Sequence, residues 1–331
     1  MYKVLVTGVG GGVGQSIIKS LQGTDYVVIG ADGEALGTGL YAVSRAYKIP
    51  YAADPDYISR IVEICSIEDC ALVFPGLDAE LPVLSSQASK IRASHTIPVV
   101  SSPEVVEIAD DKLMTTTFLL ENGFPAPLTF PLTKSVVADL DFPFVLKPRK
   151  GGARSKGVYV VKDNRELMYW LTILPLDNYV AQEYLEGDEY TCGTLNFDGH
   201  CYGTIIMRRI LRDGDTYKAF VVNDTSLHAY VSAVAEALKP FGPCNFQLRL
   251  VEGAPQIFEI NARCSGTTFS RTLAGFNEPL MAANFLLKGK DPDYQIREMA
   301  IMRYWKELTV DYARIDQLSK HGWLLGDSTI L

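Results

Sequence analysis

The sequence contains no C-x-x-C pair, and its four histidines (His95, His200, His228 and His321) are scattered. The spacings used by structural zinc sites and histidine-based triads are therefore missing. The six isolated cysteines (Cys65, Cys70, Cys192, Cys201, Cys244 and Cys264) read as reduced, buried thiols of a cytoplasmic protein. Basic charge is short: 31 Lys and Arg stand against 39 Asp and Glu, a formal net charge of −8. A general nucleic-acid surface needs the opposite balance, so no nucleic-acid partner is expected. No apolar run reaches the ~20 residues that cross a bilayer, so no membrane partner is expected either. The opening MYKVLVTG runs straight into a strand, without the form of a signal peptide. A Walker G-x-x-x-x-G-K-[ST] is absent, and so are internal repeats and low-complexity linkers.

What is present is an ordinary globular balance over 331 residues, 47% hydrophobic and 21% charged, enough for two or three domains. Residues 1–100 alternate short apolar strands (KVLVT, YVVIGA, CALVFP, TIPVVS) with helical stretches, the pattern of a parallel sheet with crossovers. Residues 101–123 read as helical and stop at Gly123 and Pro125. A second set of strands follows. Links such as FDG (197–199) and DGD (213–215) predict antiparallel hairpins.

The first motif is VTGVGGGVGQSIIKSL, 6–21, a glycine-rich strand-to-helix turn. Glycines there let backbone N–H groups reach a phosphate at a helix N-terminus. Asp32 closes the next strand, where a ribose-binding carboxylate belongs in a dinucleotide fold. The glycines give G-x-x-G-x-x-G rather than a strict G-x-G-x-x-G. Three readings stay open on these residues: an NAD(P) site of an oxidoreductase, an anion site for a substrate, and a structural turn.

Three segments further on carry more chemistry. VLKPRKGGARSKGVYVV, 145–161, places Lys147, Arg149, Lys150, Arg154 and Lys156 around Gly151, Gly152 and Gly157, with Ser155 between them. A basic, glycine-containing loop between strands suits a flap over phosphates; the bland alternative is an exposed basic hairpin. QEYLEGDEYT, 182–191, offers an extended backbone to a base edge and Glu189 to ribose hydroxyls, against the alternative of a solvated acidic turn. FEINAR, 258–263, sets Glu259, Asn261 and Arg263 on one strand face, with Gln247 on a partner strand. A carboxylate and two amides form an oxygen set that suits Mg²⁺.

In order and over about residues 110–275, these segments resemble the ATP-grasp family, and within it the carbamoyl-phosphate synthase large subunit and its single-unit relatives. The resemblance implies a Rossmann-like N-terminal (pre-ATP-grasp) domain, 1–110, then an ATP-grasp fold of two antiparallel α+β subdomains, 111–290. These comprise a lid subdomain at about 124–186 and a C subdomain at about 187–290; residues 291–331 form a C-terminal extension. It implies ATP contacts from Lys112, Lys147, Gly151, Gly152, Ser155, Lys156, Gly157, Glu183, Tyr184, Leu185 and Glu189. Mg²⁺ would be held by Gln247, Glu259 and Asn261, with Lys147 and Arg263 as the catalytic cations. The expected activity is an ATP-dependent carboxylate–amine ligase working through an acyl phosphate. Its substrates would be a small-molecule carboxylate and an amine, and its default assembly an isologous homodimer. Gly11, Glu80, Asn223 and Arg271 are the expected acceptor-side residues. A non-catalytic ATP-binding subunit is the other alternative. Ala262 stands where the synthase typically has proline, and the chain carries one unit where that subunit carries two.

Overall fold

The computed structural model describes residues 1–133, 140–152, 155–304 and 306–326. Arg154, counted above among the basic loop residues, lies outside them.

The N-terminal strands β1 (Tyr2–Val6), β2 (Tyr26–Asp32), β3 (Arg45–Lys48), β4 (Cys70–Phe74) and β5 (Ile97–Pro98) pair in parallel, in the order β3-β2-β1-β4-β5. Their runs are apolar on both sides because helices cover both faces. Helices α1 (Gly12–Leu21), α2 (Tyr57–Glu68), α3 (Leu81–Ser86) and α4 (Ala88–Arg92) connect them. The strand ends and glycine turn face the next domain, as expected for a ligand crevice in an open α/β sheet.

The helical stretch after β5 is two helices, α5 (Pro103–Asp110) and α6 (Lys112–Glu121), broken at Asp111. Asp111 caps α6, accepting from Leu113 N at 3.0 Å. A small sheet follows, of β6 (Thr129–Pro131), β7 (Phe144–Pro148), β8 (Tyr159–Val161) and β9 (Tyr179–Glu183) in the antiparallel order β6-β9-β7-β8, with α7 (Asn164–Ile173) beside it.

The largest sheet is also antiparallel. It holds β10 (Glu189–Phe197), β11 (His200–Arg212), β12 (Asp215–Val222), β13 (Gly242–Val251), β14 (Ala254–Asn261) and β15 (Ala300–Met302), in the order β14-β13-β10-β11-β12-β15. Helix α8 (Thr225–Leu238) packs on one face through Val231, Val234 and Ala235; α9 (Thr268–Leu273) and α10 (Glu278–Lys288) lie on the side of α1. Buried residues of the first sheet (Val4, Val6, Phe74) and of the largest one (Leu195, Phe197, Met207) share one core through α1 and α10. The last residues contribute to both parts. β15 completes the largest sheet, while α11 (Tyr312–His321) and β16 (Trp323–Leu325) return to the first, where β16 pairs antiparallel with β3. The architecture is the expected one: an α/β domain, then two antiparallel α+β halves.

Candidate nucleotide and acceptor cleft

The small sheet overhangs the largest, and between them lies a cleft of about 620 Å³. Its floor is set by strand alternation. Along β13, Phe246 and Leu248 point into the core, while Asn245, Gln247 and Arg249 line the cleft. Register places Glu189 of β10 opposite Arg249, Thr191 opposite Gln247, and Glu259 and Asn261 of β14 opposite Gln247 and Asn245.

These polar side chains are interlocked. Arg249 Nη2 donates to Glu189 Oε2 at 2.8 Å, and Arg209 Nε to Glu189 Oε1 at 2.9 Å. Arg209 Nη2 also donates to Gln247 Oε1 at 2.7 Å. The amides of Gln247 and Asn261 both donate to Glu259 Oε1, at 3.2 and 3.1 Å. Arg263 Nη2 reaches Asn261 Oδ1 at 2.9 Å and Asp78 Oδ2 at 2.6 Å. Burial opposes the charge of Arg263, but Asp78, with Glu259 and Cys264, more than offsets it. Asp78 opens the short 3-10 turn Asp78–Glu80 after β4, so the first domain closes one end of the row.

The roof supplies cations. Lys147 on β7 is 7% exposed and lines the cleft; its Nζ donates to Phe258 O at 3.1 Å. Burial pulls its pKa down to about 8; Glu259 opposes the fall and Lys112 adds to it. Lys112, first residue of α6, donates to Asp110 O at 3.3 Å and to Gly151 O. Gly151 N donates back to Asp110 Oδ1 at 2.8 Å, and Arg149 Nε holds Asp111 Oδ2 at 2.8 Å. Thus the DDK segment grips the stem of the basic loop. Gly151 and Gly152 have φ of +63° and +88°, a left-handed stretch that glycine adopts without strain. Burial opposes ionisation of Asp111, but Arg149 and the cap N–H groups hold its carboxyl below the usual carboxylate range.

At the other end, Glu183 N donates to Leu128 O at 2.8 Å, and Glu183 Oε2 accepts from Leu128 N at 3.0 Å. Arg249 lies over the Tyr184 ring at 5.8 Å and donates to Leu185 O at 2.8 Å. This segment bridges the two sheets as a braced hinge.

Of the expected residues, Lys112, Lys147, Gly151, Gly152, Ser155, Lys156, Glu183, Tyr184, Leu185, Glu189, Gln247, Glu259, Asn261, Arg263 and Gly11 all line this one cleft. Gly157 falls outside the lining. Three acceptor-side expectations are corrected. Glu80 is 2% exposed and accepts from Thr7 Oγ1 at 2.6 Å and from the backbone N–H groups of Gly76 and Leu77, so it braces the turns beneath the cleft. Burial raises its pKa to about 7. Asn223 is an exposed residue at the start of α8, its N–H on Glu298 Oε1 at 3.1 Å. Arg271 is fully buried, paired with Glu278 at 2.7 Å. Residues missed in the sequence are Asp78, Arg209, Arg249, Asn245 and Thr191. The alternation N-x-Q-x-R in 245–249 was the available signal for Asn245 and Arg249.

The glycine turn answers the question of Asp32. Its Oδ2 accepts from Gly10 N at 2.7 Å and its Oδ1 from Glu34 N at 2.9 Å, so the carboxylate is engaged within its own turns. Gly11, the N-cap of α1, opens on the cleft and has no side-chain cap.

Among the described residues, no helix is long and apolar enough to cross a membrane. A family model described as ATP-grasp in the biosynthetic pathway with Ter operon matches residues 176–308, and one for a PylC-like N-terminal domain matches residues 4–100. A D-alanine–D-alanine ligase from Petrotoga mobilis is 32% identical over 93 residues, 28% of this chain and 30% of that protein. The carbamoyl phosphate synthase large chain of Streptomyces griseus is 24% identical over 279 residues, 76% of this chain and 24% of that one. The chain spans less than a third of the length of either relative. In fold it is similar to N5-carboxyaminoimidazole synthetase from Staphylococcus aureus complexed with ADP (TM-score 0.73, 15% identity, 92% of this chain and 82% of the other). The chain thus joins a match to an ATP-grasp family model over residues 176–308 to a match to a PylC-like N-terminal domain over residues 4–100, in a fold similar to that synthetase.

Proposed function

We propose that the protein is an ATP-dependent ligase that joins a carboxylate to an amine through an acyl phosphate. One observation carries this reading: the interlocked floor Glu189–Arg209–Gln247–Glu259–Asn261–Arg263 faces Lys147 and the basic loop across one cleft. Residues 111–290 grasp the nucleotide between halves 124–186 and 187–290, and residues 1–110 supply the acceptor side.

The hinge 183–185 receives the base. Glu189, whose Oε2 keeps a lone pair beside its one bond from Arg249, accepts from a ribose hydroxyl. Lys147, Lys112 and the loop N–H groups hold phosphate oxygens. Gln247, Glu259 and Asn261 form a hard oxygen set that fits Mg²⁺, which when bound neutralises β- and γ-phosphate charge. Arg263, fixed by Asp78, stabilises the charge that develops as the phosphoryl group moves to the carboxylate. The uncapped N-terminus of α1 at Gly11 steadies an anionic group of the acceptor. Loop closure excludes water from the acyl phosphate until the amine attacks. No protein nucleophile takes part.

The finer form of the reading is carbamoyl-phosphate-synthase-like, with bicarbonate among the candidate acids; the order Lys112, Lys147, Gln247, Glu259, Asn261, Arg263 supports it. An ADP-release assay over mixed carboxylates, bicarbonate and amines tests both forms. Release that requires one acid, one amine and Mg²⁺ is expected. Tight Mg·ATP binding with no acid-dependent release would leave a non-catalytic nucleotide-binding protein.

A further inference from the structure

The buried pair Arg271–Glu278 lies on the cleft face of the largest sheet, beside the end of the polar floor marked by Asn245. Both residues are fully buried, at 2.7 Å. Thr268 Oγ1 donates to the other Glu278 oxygen at 2.7 Å. The pair needs space against this face of β10. At Gly193 a Cβ would stand 2.2 Å from Glu278 Oε1 and 2.4 Å from Arg271 Nη1, so any side chain there would displace it. Gly193 is the register partner of Asn245.

Arg271 Nη2 donates to Asn245 Oδ1, which also accepts from Thr191 Oγ1 at 2.7 Å. A guanidinium only donates, so the Asn245 atom facing it must be the carbonyl oxygen. The amide orientation is thereby decided by chemistry: Nδ2 turns the other way. Asn245 lines the cleft, and among the described residues Nδ2 has no acceptor. Position along β13 assigns the direction. Arg249 touches the hinge, Gln247 joins the Glu259–Asn261 set, and Asn245 lies two residues further, about 13 Å from Arg249 at the usual strand rise. It therefore sits level with Asn261, at the end of the set nearest Arg263 and Asp78.

We propose that the Asn245 Nδ2 amide is a hydrogen-bond donor to the acyl oxygen of the acceptor, and that Arg271, held by Glu278, is the positioning residue that fixes its orientation. The inference rests on the ligase reading above. It makes Arg271, expected from the sequence as a substrate contact, act through Asn245 instead.

The test uses the full chain with Mg·ADP, and acetyl phosphate as the probe, since it carries an acyl oxygen and a phosphoryl group together. Binding constants for each are measured by calorimetry. In Asn245→Ala, acetyl phosphate binding to the Mg·ADP complex should weaken about tenfold, with Mg·ADP affinity changed less than about twofold. Arg271→Met should give the same loss, Arg271→Lys should restore part of it, and Arg271→Met with Asn245→Ala should lose no more than either alone. If Arg271→Met does not fold because Glu278 is left unpaired, Arg271→Met with Glu278→Leu replaces it. Unchanged acetyl phosphate affinity in Asn245→Ala, additive losses in the double variant, or a wild type that binds Mg·ADP but not acetyl phosphate would each overturn this inference alone. A wild type that binds no Mg·ADP would overturn the ligase reading with it.

Discussion

The two sheets that enclose the cleft solve opposite problems. The floor strands carry charges already matched inside the protein: Arg209 and Arg249 on Glu189, and Arg263 on Asp78. On the roof, Arg149 and Lys150 pair with Asp111, but the lysines that line the cleft lack that match. Among the described residues, no carboxylate lies in ion-pair range of Lys112, Lys147 or Lys156. Lys147 is buried all the same, and burial depresses its pKa to about 8. A matched floor has its geometry before any ligand arrives, whereas an unmatched roof gains stability from a bound anion. The comparison separates a preorganised surface from one completed by its ligand.

The largest break in that comparison comes from the floor. Glu259→Gln keeps the side-chain shape and removes the one carboxylate of the proposed metal set. ADP release should fall on the order of 10³-fold with melting temperature little changed. Wild-type turnover in both Glu259→Gln and Asn261→Ala would remove the metal assignment.

From the roof, Lys147→Met should lower ADP release on the order of 10²-fold. The pH dependence has two opposite signs. As pH rises through about 8 the amine loses its proton, so nucleotide affinity should fall. Between about 8 and the ordinary 10.5, the unfolded chain binds the proton that the folded one has lost, so stability of the free protein should rise with pH. Calorimetric titrations and melting curves from pH 7 to 10 check both; Lys147→Met should flatten both.

Beneath the floor, Glu80 gives a third, smaller effect. With burial raising its pKa from 4.5 to about 7, the folded protein keeps a proton that the unfolded chain releases, so stability should decline as pH rises across that window. The change is on the order of 3 kcal/mol at most. Glu80→Gln should remove this slope; an equal slope in the variant would assign it elsewhere.

The smallest effect sharpens the contrast directly. Amide exchange at Gly151, Gly152 and Ser155–Gly157 should slow several-fold with a non-hydrolysable ATP analogue, while that of β13 and β10 stays as it was. Equal protection of both surfaces before nucleotide would erase the difference between them. In parallel, NAD⁺ and NADPH should show no saturable binding below roughly millimolar, since Asp32 is engaged within its own turns.

Much of this was legible in the linear sequence because it depends on local period and residue type. Alternation along EYTCGTLNF, CNFQLRLVEG and FEINAR determined the strand faces, and the order of Lys112, Lys147, Glu189, Gln247, Glu259 and Asn261 carried the resemblance to the ATP-grasp family. A strand face follows from every second residue, whatever the strand packs against. Tertiary structure alone decided which charges meet. Asp78 is 185 residues from Arg263, and Lys112 is 39 from Gly151. It also decided depth. Arg271 in FSRTLAG was an expected acceptor contact and Glu278 in NEPL carries no sign of depth in sequence, yet both are fully buried. The cost of burying a charge is set by the partner at the end of its side chain, and that partner is a long-range contact which no local pattern encodes.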